Sequence, residues 1–280
     1  MRIASTANTD HDSRSFGWRN QLNVWAFPLA SVMVVLGFWL FPGSLEHKTE
    51  SALHGLCAQR PSHSFWLGDA RLPFDARMTG IYGGFAVSFG FLSLRGRLWA
   101  FARPTWPVIA ILVSFVGAMA VDGVNSFLLD ISTWHPYTPR NDVRLITGLI
   151  TGIALAVTIC FLLGATLWRT GRRDLAIIRS GREIALLLGL QVPFAVTVLA
   201  APGWFYAPVA LFLVVSAIVV VSSLTLVMWT IATRRDGLYS AIGELGLPAT
   251  VALLLAIVVM ASIAGGRFWL ERTLGVPPLQ

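Results

Sequence analysis

His54 and Cys57 stand three residues apart, a spacing that sets two side chains on one face of a helix. Imidazole and thiolate together are donors that a zinc ion accepts. Two ligands do not make a site, so Asp75, Met78 or His63 would have to complete it. Three histidines (His47, His54, His63) and Cys57 fall within residues 47–63, and the plain alternative is a polar loop with scattered histidines. A second group carries charge into apolar surroundings. Asp122 and Asn125 close one apolar run, Arg144 opens the next, and Arg77 heads another. A charge at the middle of a bilayer costs roughly 2.5 to 3.5 kcal/mol and less near an interface, so it tends to face a partner or a wet cavity. Arg77, Asp122, Asn125 and Arg144 are therefore expected to form one polar cluster at a common level, with Asp122 and Arg144 as its charge pair. Two roles stay open: an exterior-facing pocket for a small ligand or ion, and a structural ion pair that locks three helices.

The elements that must position these residues follow from hydropathy. The chain has 280 residues, 55% of them hydrophobic and 12% charged, where a soluble domain has roughly 25% charged. Its mean hydropathy is +0.69. The apolar residues come in blocks, at 22–41, 80–94, 106–125, 143–168, 184–201, 206–232 and 247–264. A run of about 18 or more crosses the hydrocarbon core as a helix. The fold expected is an all-α, polytopic integral membrane helix bundle of about seven transmembrane helices. Residues 1–20 read as a cytoplasmic tail, 21–280 as a single transmembrane domain, and 42–78 as its exterior loop. The first run is too long for a signal-peptide core, and no A-x-A site follows it.

Arginine clusters at 95–103, 169–182 and 234–235 occupy alternate loops, on the same side as the basic tail. The positive-inside rule then places the N-terminus in the cytoplasm. It also explains the net charge of +7 without a nucleic-acid partner. The stretch 169–182 is a topology determinant, with anionic lipid headgroups as its other use. Gly80, Gly83 and Gly84, and Gly148 with Gly152, lie at spacings that let membrane helices approach closely. Cys160, inside an apolar run, reads as a small buried hydrophobe. No phosphate loop, nucleophile elbow, H-E-x-x-H or paired-carboxylate motif is present, and no cofactor is implied.

The run His54-Gly-Leu-Cys57-Ala58-Gln59-Arg60-Pro61, followed by Leu72-Pro73-Phe74-Asp75-Ala76-Arg77-Met78-Thr79-Gly80-Ile81-Tyr82, resembles the membrane-protein family named domain of unknown function 2085. Asp122-Gly123 and Asn141-Asp142-Val143-Arg144 agree with it, so the resemblance covers about residues 45–165. It implies membership, membrane topology and a place in the plasma membrane of a prokaryotic cell, but no established activity. The family pattern carries a Cys-His-Gln triplet and a C-A-R-C element, which imply a thiolate-rich metal or redox site. Here Ala58 stands for the histidine, and Asp75 and Met78 stand for the two cysteines. The loss of those soft ligands leaves a mixed set, suited to copper or to no metal.

Three readings of function result. The first is a binding or transport protein with an exterior-facing pocket at Arg77, Asp122, Asn125 and Arg144. The second is a membrane-embedded enzyme or redox protein using His54, Cys57 and Asp75. The third is a structural subunit that meets other membrane subunits through its last three helices. A complete catalytic set is missing, which favours a protein that is not an enzyme. The lipid bilayer itself is the one partner common to all three.

Overall fold

A computed structural model of the chain describes residues 9–131 and 134–275. Among them are eight α-helices: α1 (Thr9–Leu40), α2 (Leu45–Leu53), α3 (Ala76–Leu94), α4 (Trp106–Ile131), α5 (Asn141–Leu167), α6 (Gly181–Ala200), α7 (Tyr206–Ala232) and α8 (Gly246–Thr273). Six of them, all but α2 and α3, are long and apolar enough to cross a membrane. The chain is thus an all-α bundle of the polytopic membrane type. α1 begins at Thr9, inside the segment expected to be a tail, and residues 1–8 lie outside the described part.

α3 is the seventh long helix, and it is less apolar because it occupies the centre. It packs lengthwise on α5 and also touches α6 and α7, so its Tyr82 and Ser88 meet protein. The glycines set that contact. A Cβ at Gly80 would stand 2.4 Å from the Leu145 carbonyl oxygen, and one at Gly148 would stand 2.4 Å from that of Arg77. Gly84 and Gly152 face equally close backbone on the other helix. At this range only glycine fits, and tight van der Waals contact replaces the hydrophobic drive that lipid cannot supply.

Residues 42–78 form a folded cap, where a polar loop was the expectation. It holds α2, a 3₁₀ turn (Pro61–His63) and an antiparallel hairpin of β1 (Ser64–Leu67) and β2 (Ala70–Asp75). The two-residue turn Gly68-Asp69 closes the hairpin, with Gly68 at φ +64°, the region where glycine pays no Cβ penalty. Strands of four and six residues are too short to register against the apolar runs around them. Asp75 ends β2 and caps α3, its carboxylate accepting from the Met78 amide at 2.9 Å.

The opposite, basal end is also built rather than loose. β3 (Ala100–Ala102) pairs in parallel with β4 (Arg172–Ala176). Trp99 stacks on Trp168 at 3.6 Å, and the Trp168 indole donates to the Leu98 carbonyl at 2.7 Å. Asn23 of α1 joins this end by donating to the Glu244 carbonyl and accepting from the Leu247 amide.

Candidate functional site

Asp122 lies well inside α4, which runs on to Ile131; the apolar run that stops at residue 125 does not mark the helix end. Its side chain is 1% exposed, and its partner in charge is Arg77, with Nη2 donating to Oδ2 at 2.5 Å. The expected pairing with Arg144 is replaced by an indirect one. Ser126 Oγ accepts from Arg77 at 3.3 Å and from Arg144 at 3.4 Å, while donating to the Asp122 carbonyl at 2.9 Å. Arg144 also donates to Asn141 Oδ1 at 2.9 Å. Asn125 turns instead to the segment before α5, exchanging hydrogen bonds with the Tyr137 backbone at 2.8 and 3.3 Å.

Tyr137 is the member that sequence reasoning missed. Its hydroxyl donates to the second Asp122 oxygen at 2.8 Å. Burial raises this phenol above its ordinary value, and the hydrogen bond to the Asp122 carboxylate adds to the rise. Tyr137 sits in a proline-flanked turn with no periodicity, so no pattern marks it. Both carboxylate oxygens of Asp122 are thus taken by donors from the chain itself.

His54, Cys57 and Asp75 do not converge on a common point. Cys57 Sγ accepts from the backbone amides of Gln59 and Asp75, each at 3.4 Å. Burial, and then the Asp75 charge, push the thiol up to about 12. It is a neutral thiol at physiological pH, and the thiolate is what metals and electrophiles need. Asp75 is spent on capping α3. Among the described residues no three His, Cys, Asp or Glu side chains are grouped to hold a metal ion. The thiolate-rich site that the resemblance implied does not fit these residues.

His54 belongs to a different contact. Its Nδ1 lies 2.9 Å from Gln59 Oε1 and its Nε2 lies 2.9 Å from Glu271 Oε2, while the ring stacks on Phe268 at 4.0 Å. Arg267 completes the set. It donates to the carbonyls of His54 (2.7 Å), Cys57 and Ala58 (3.1 Å) and to Glu271 Oε1 (2.7 Å). The only signal for this in the sequence is an arginine and a glutamate four apart at the end of the last apolar run.

A third feature has no counterpart in the sequence. A cavity of about 420 Å³ lies among α1, α5, α7 and α8, walled by Phe27, Val34, Leu163, Trp168, Val215 and Leu253. It reaches the basal end, because Leu98, Ile242 and Leu245 also line it. Its wall is almost wholly apolar, and the Ser222 hydroxyl within it is buried without a hydrogen-bond partner. None of Arg77, Asp122, Asn125 and Arg144 borders it.

Residues 57–158, from the Cys57 turn to Thr158 within α5, match the model of a family described as predicted membrane protein (DUF2085). This stretch is a DUF2085 region. No curated protein and no solved structure matches the chain. The DUF2085 region holds all of α3, the glycine contact between α3 and α5, and the Asp122 cluster. His54, Arg267, Phe268, Glu271 and the α1, α7 and α8 walls of the cavity lie outside it. The match supports a membrane protein with several apolar helices and assigns it no activity.

Proposed function

We propose that the protein binds, and in doing so carries or presents, an elongated apolar molecule taken from the bilayer into the cavity beside α1. The observation that carries this reading is the cavity. Its volume of about 420 Å³ falls in the range of roughly 300 to 1,000 Å³ usual for ligand sites. Its lining is suited to an acyl or prenyl chain rather than to an ion. α1 favours access from the lipid, since it packs mainly along α8 and the 242–245 turn, and most of its side chains over residues 23–40 are exposed. The polar cluster at Asp122 is then the structural clasp of α3, α4 and α5, because both Asp122 carboxylate oxygens are taken by Arg77 and Tyr137. One observation favours a second reading, an exterior site for a small polar ligand: Arg77 Nε is buried without a partner.

The orientation we adopt puts the cap outside and the basal end in the cytoplasm of a prokaryotic cell. Eight basic and eight acidic residues at the cap end cancel, so the net charge of +7 belongs to the basal end and the tail. That is the asymmetry expected of cytoplasmic loops.

Ala252 is buried and lines the cavity, so Ala252→Phe fills it. Protein purified in mild detergent should show a retained apolar molecule by native mass spectrometry and organic extraction, and the Ala252→Phe protein should lose it. Equal retention by both proteins would rule the cavity out as the site.

A further inference from the structure

Both nitrogens of His54 face oxygen atoms that can only accept. The Gln59 carboxamide is fixed, because Nε2 donates to the Glu50 and Pro73 carbonyls, each at 2.9 Å. Reversing the amide would set its oxygen against both carbonyls, so Oε1 is the atom turned to Nδ1. Gln59 also holds a left-handed backbone, φ +57°, a conformation kept only where the surroundings over-determine it. On the other side, Glu271 is anchored through its second oxygen by Arg267. A neutral imidazole carries one N–H and would leave one of these contacts as lone pair against lone pair. The imidazolium satisfies both.

We propose that His54 is a proton-dependent latch between the cap and the outer end of α8, closed when the ring is doubly protonated and loosened when it loses a proton. The other charges around it are accounted for. From α8 come Glu271, which favours the cation, and Arg267, which opposes it while pointing its Nη atoms at three carbonyls. From α2 comes Glu50, taken up by Arg71 of β2 at 2.6 Å. Cys57 is a neutral thiol, and the Asp75 carboxylate is turned to the Met78 amide. Neighbouring packing has no slack to absorb a shift, since a Cβ at Gly55 would meet the Ala264 nitrogen at 2.6 Å. A loosened α8 must therefore part from the 54–58 turn, which exposes Cys57. Because α8 also walls the cavity through Ala249, Ala252 and Leu253, the latch would regulate the binding proposed above. That consequence rests on the binding reading, whereas the latch does not.

Cys57 reports on the latch in the full-length protein. Its rate of reaction with a maleimide, divided by that of the unfolded chain at the same pH, removes the chemistry of the thiol itself. Between about pH 5 and pH 8, where imidazole changes charge, this protection should fall roughly tenfold or more, the factor expected for losing one charge-assisted hydrogen bond. His54→Gln should abolish the pH dependence, and Glu271→Gln should reduce protection at the acid end. Unchanged protection across the range, or the same pH profile in His54→Gln, would overturn the latch. Should His54→Gln fail to fold, ¹⁵N-histidine spectra of the wild type decide: a single neutral tautomer at pH 5 overturns it. A working latch in a protein that retains no apolar molecule would defeat the binding reading alone.

Discussion

The arrangement around Asp122 makes a quantitative demand on three variants. Asp122 is 1% exposed on its side chain and Arg77 27%. Asp122→Asn keeps the shape, removes the charge, and deprives Arg77 and Tyr137 of an ionised acceptor. Hydrogen bonds to charged groups contribute about 1.5 to 3 kcal/mol each. Stranding a buried charge costs about 3 to 5 kcal/mol. Since the protein encloses Arg77 less completely than Asp122, the lower part of that range applies, so Asp122→Asn should cost about 3 kcal/mol. Arg77→Gln strands the better-buried partner and should cost somewhat more, about 4 kcal/mol. The double variant strands neither charge. Its loss should fall short of the sum by about 2 kcal/mol, well above the roughly 0.6 kcal/mol typical of interhelical hydrogen bonds in membranes. Arg144 is joined to Asp122 through Ser126, whose hydroxyl accepts from Arg144 and donates to the Asp122 carbonyl, so its coupling to Asp122 should be smaller than that of Arg77, about 1 kcal/mol or less. Reversible unfolding in mixed micelles titrated with dodecyl sulfate, followed by circular dichroism, gives all of these differences. Additive losses for Asp122 and Arg77, or a coupling of Asp122 to Arg144 larger than that to Arg77, would refute the assignment of the ion pair.

Gly148→Val tests the α3–α5 contact, since its first added carbon alone would lie 2.4 Å from the Arg77 carbonyl oxygen. The helices must separate, so the variant should unfold at a lower dodecyl sulfate fraction by several kcal/mol, whereas Gly181→Val, with open space at its Cβ position, should leave the midpoint within about 0.5 kcal/mol. The orientation is tested by single cysteines at two exposed sites, Asp69 in the hairpin turn and Arg179 at the basal end. An impermeant thiol reagent on intact cells should label Asp69→Cys and spare Arg179→Cys, and the reverse pattern would invert the topology.

The long helices were legible because twenty apolar residues in a row admit little else, and bilayer thickness supplies the length. What hydropathy misread was where α4 stops. Asp122 and Asn125 interrupt the apolar run, so the residues that build the cluster also disguise the helix that carries them. A run read as ending at 125 places Asp122 beside Arg144; a helix ending at Ile131 brings it to Arg77 and Tyr137. The cap was illegible for a different reason. Its strands are four and six residues long, and its key partners are remote, Glu271 lying 217 residues from His54. Gln59 stood out only as part of a motif. The left-handed backbone and the two carbonyls that fix its amide appear only in three dimensions. The cavity left no trace either, because apolar residues facing a void, a neighbour or lipid have the same composition.

The DUF2085 region and the rest of the chain divide the work along a physical line. Residues 57–158 contain the glycine contact and the buried ion pair, the two features with least tolerance for change: one admits no Cβ, and the other strands a charge if altered. Such constraints fix a sequence pattern strongly and say nothing about a ligand. The cavity and the latch are assembled where α1, α7 and α8 meet that core, from residues whose requirement is only to be apolar, or to sit opposite His54. A binding role would thus rest on parts of the chain that a family pattern registers weakly. It follows that an activity found for a protein of the DUF2085 family bears on this one only so far as its counterparts of α1, α7 and α8 enclose a similar space.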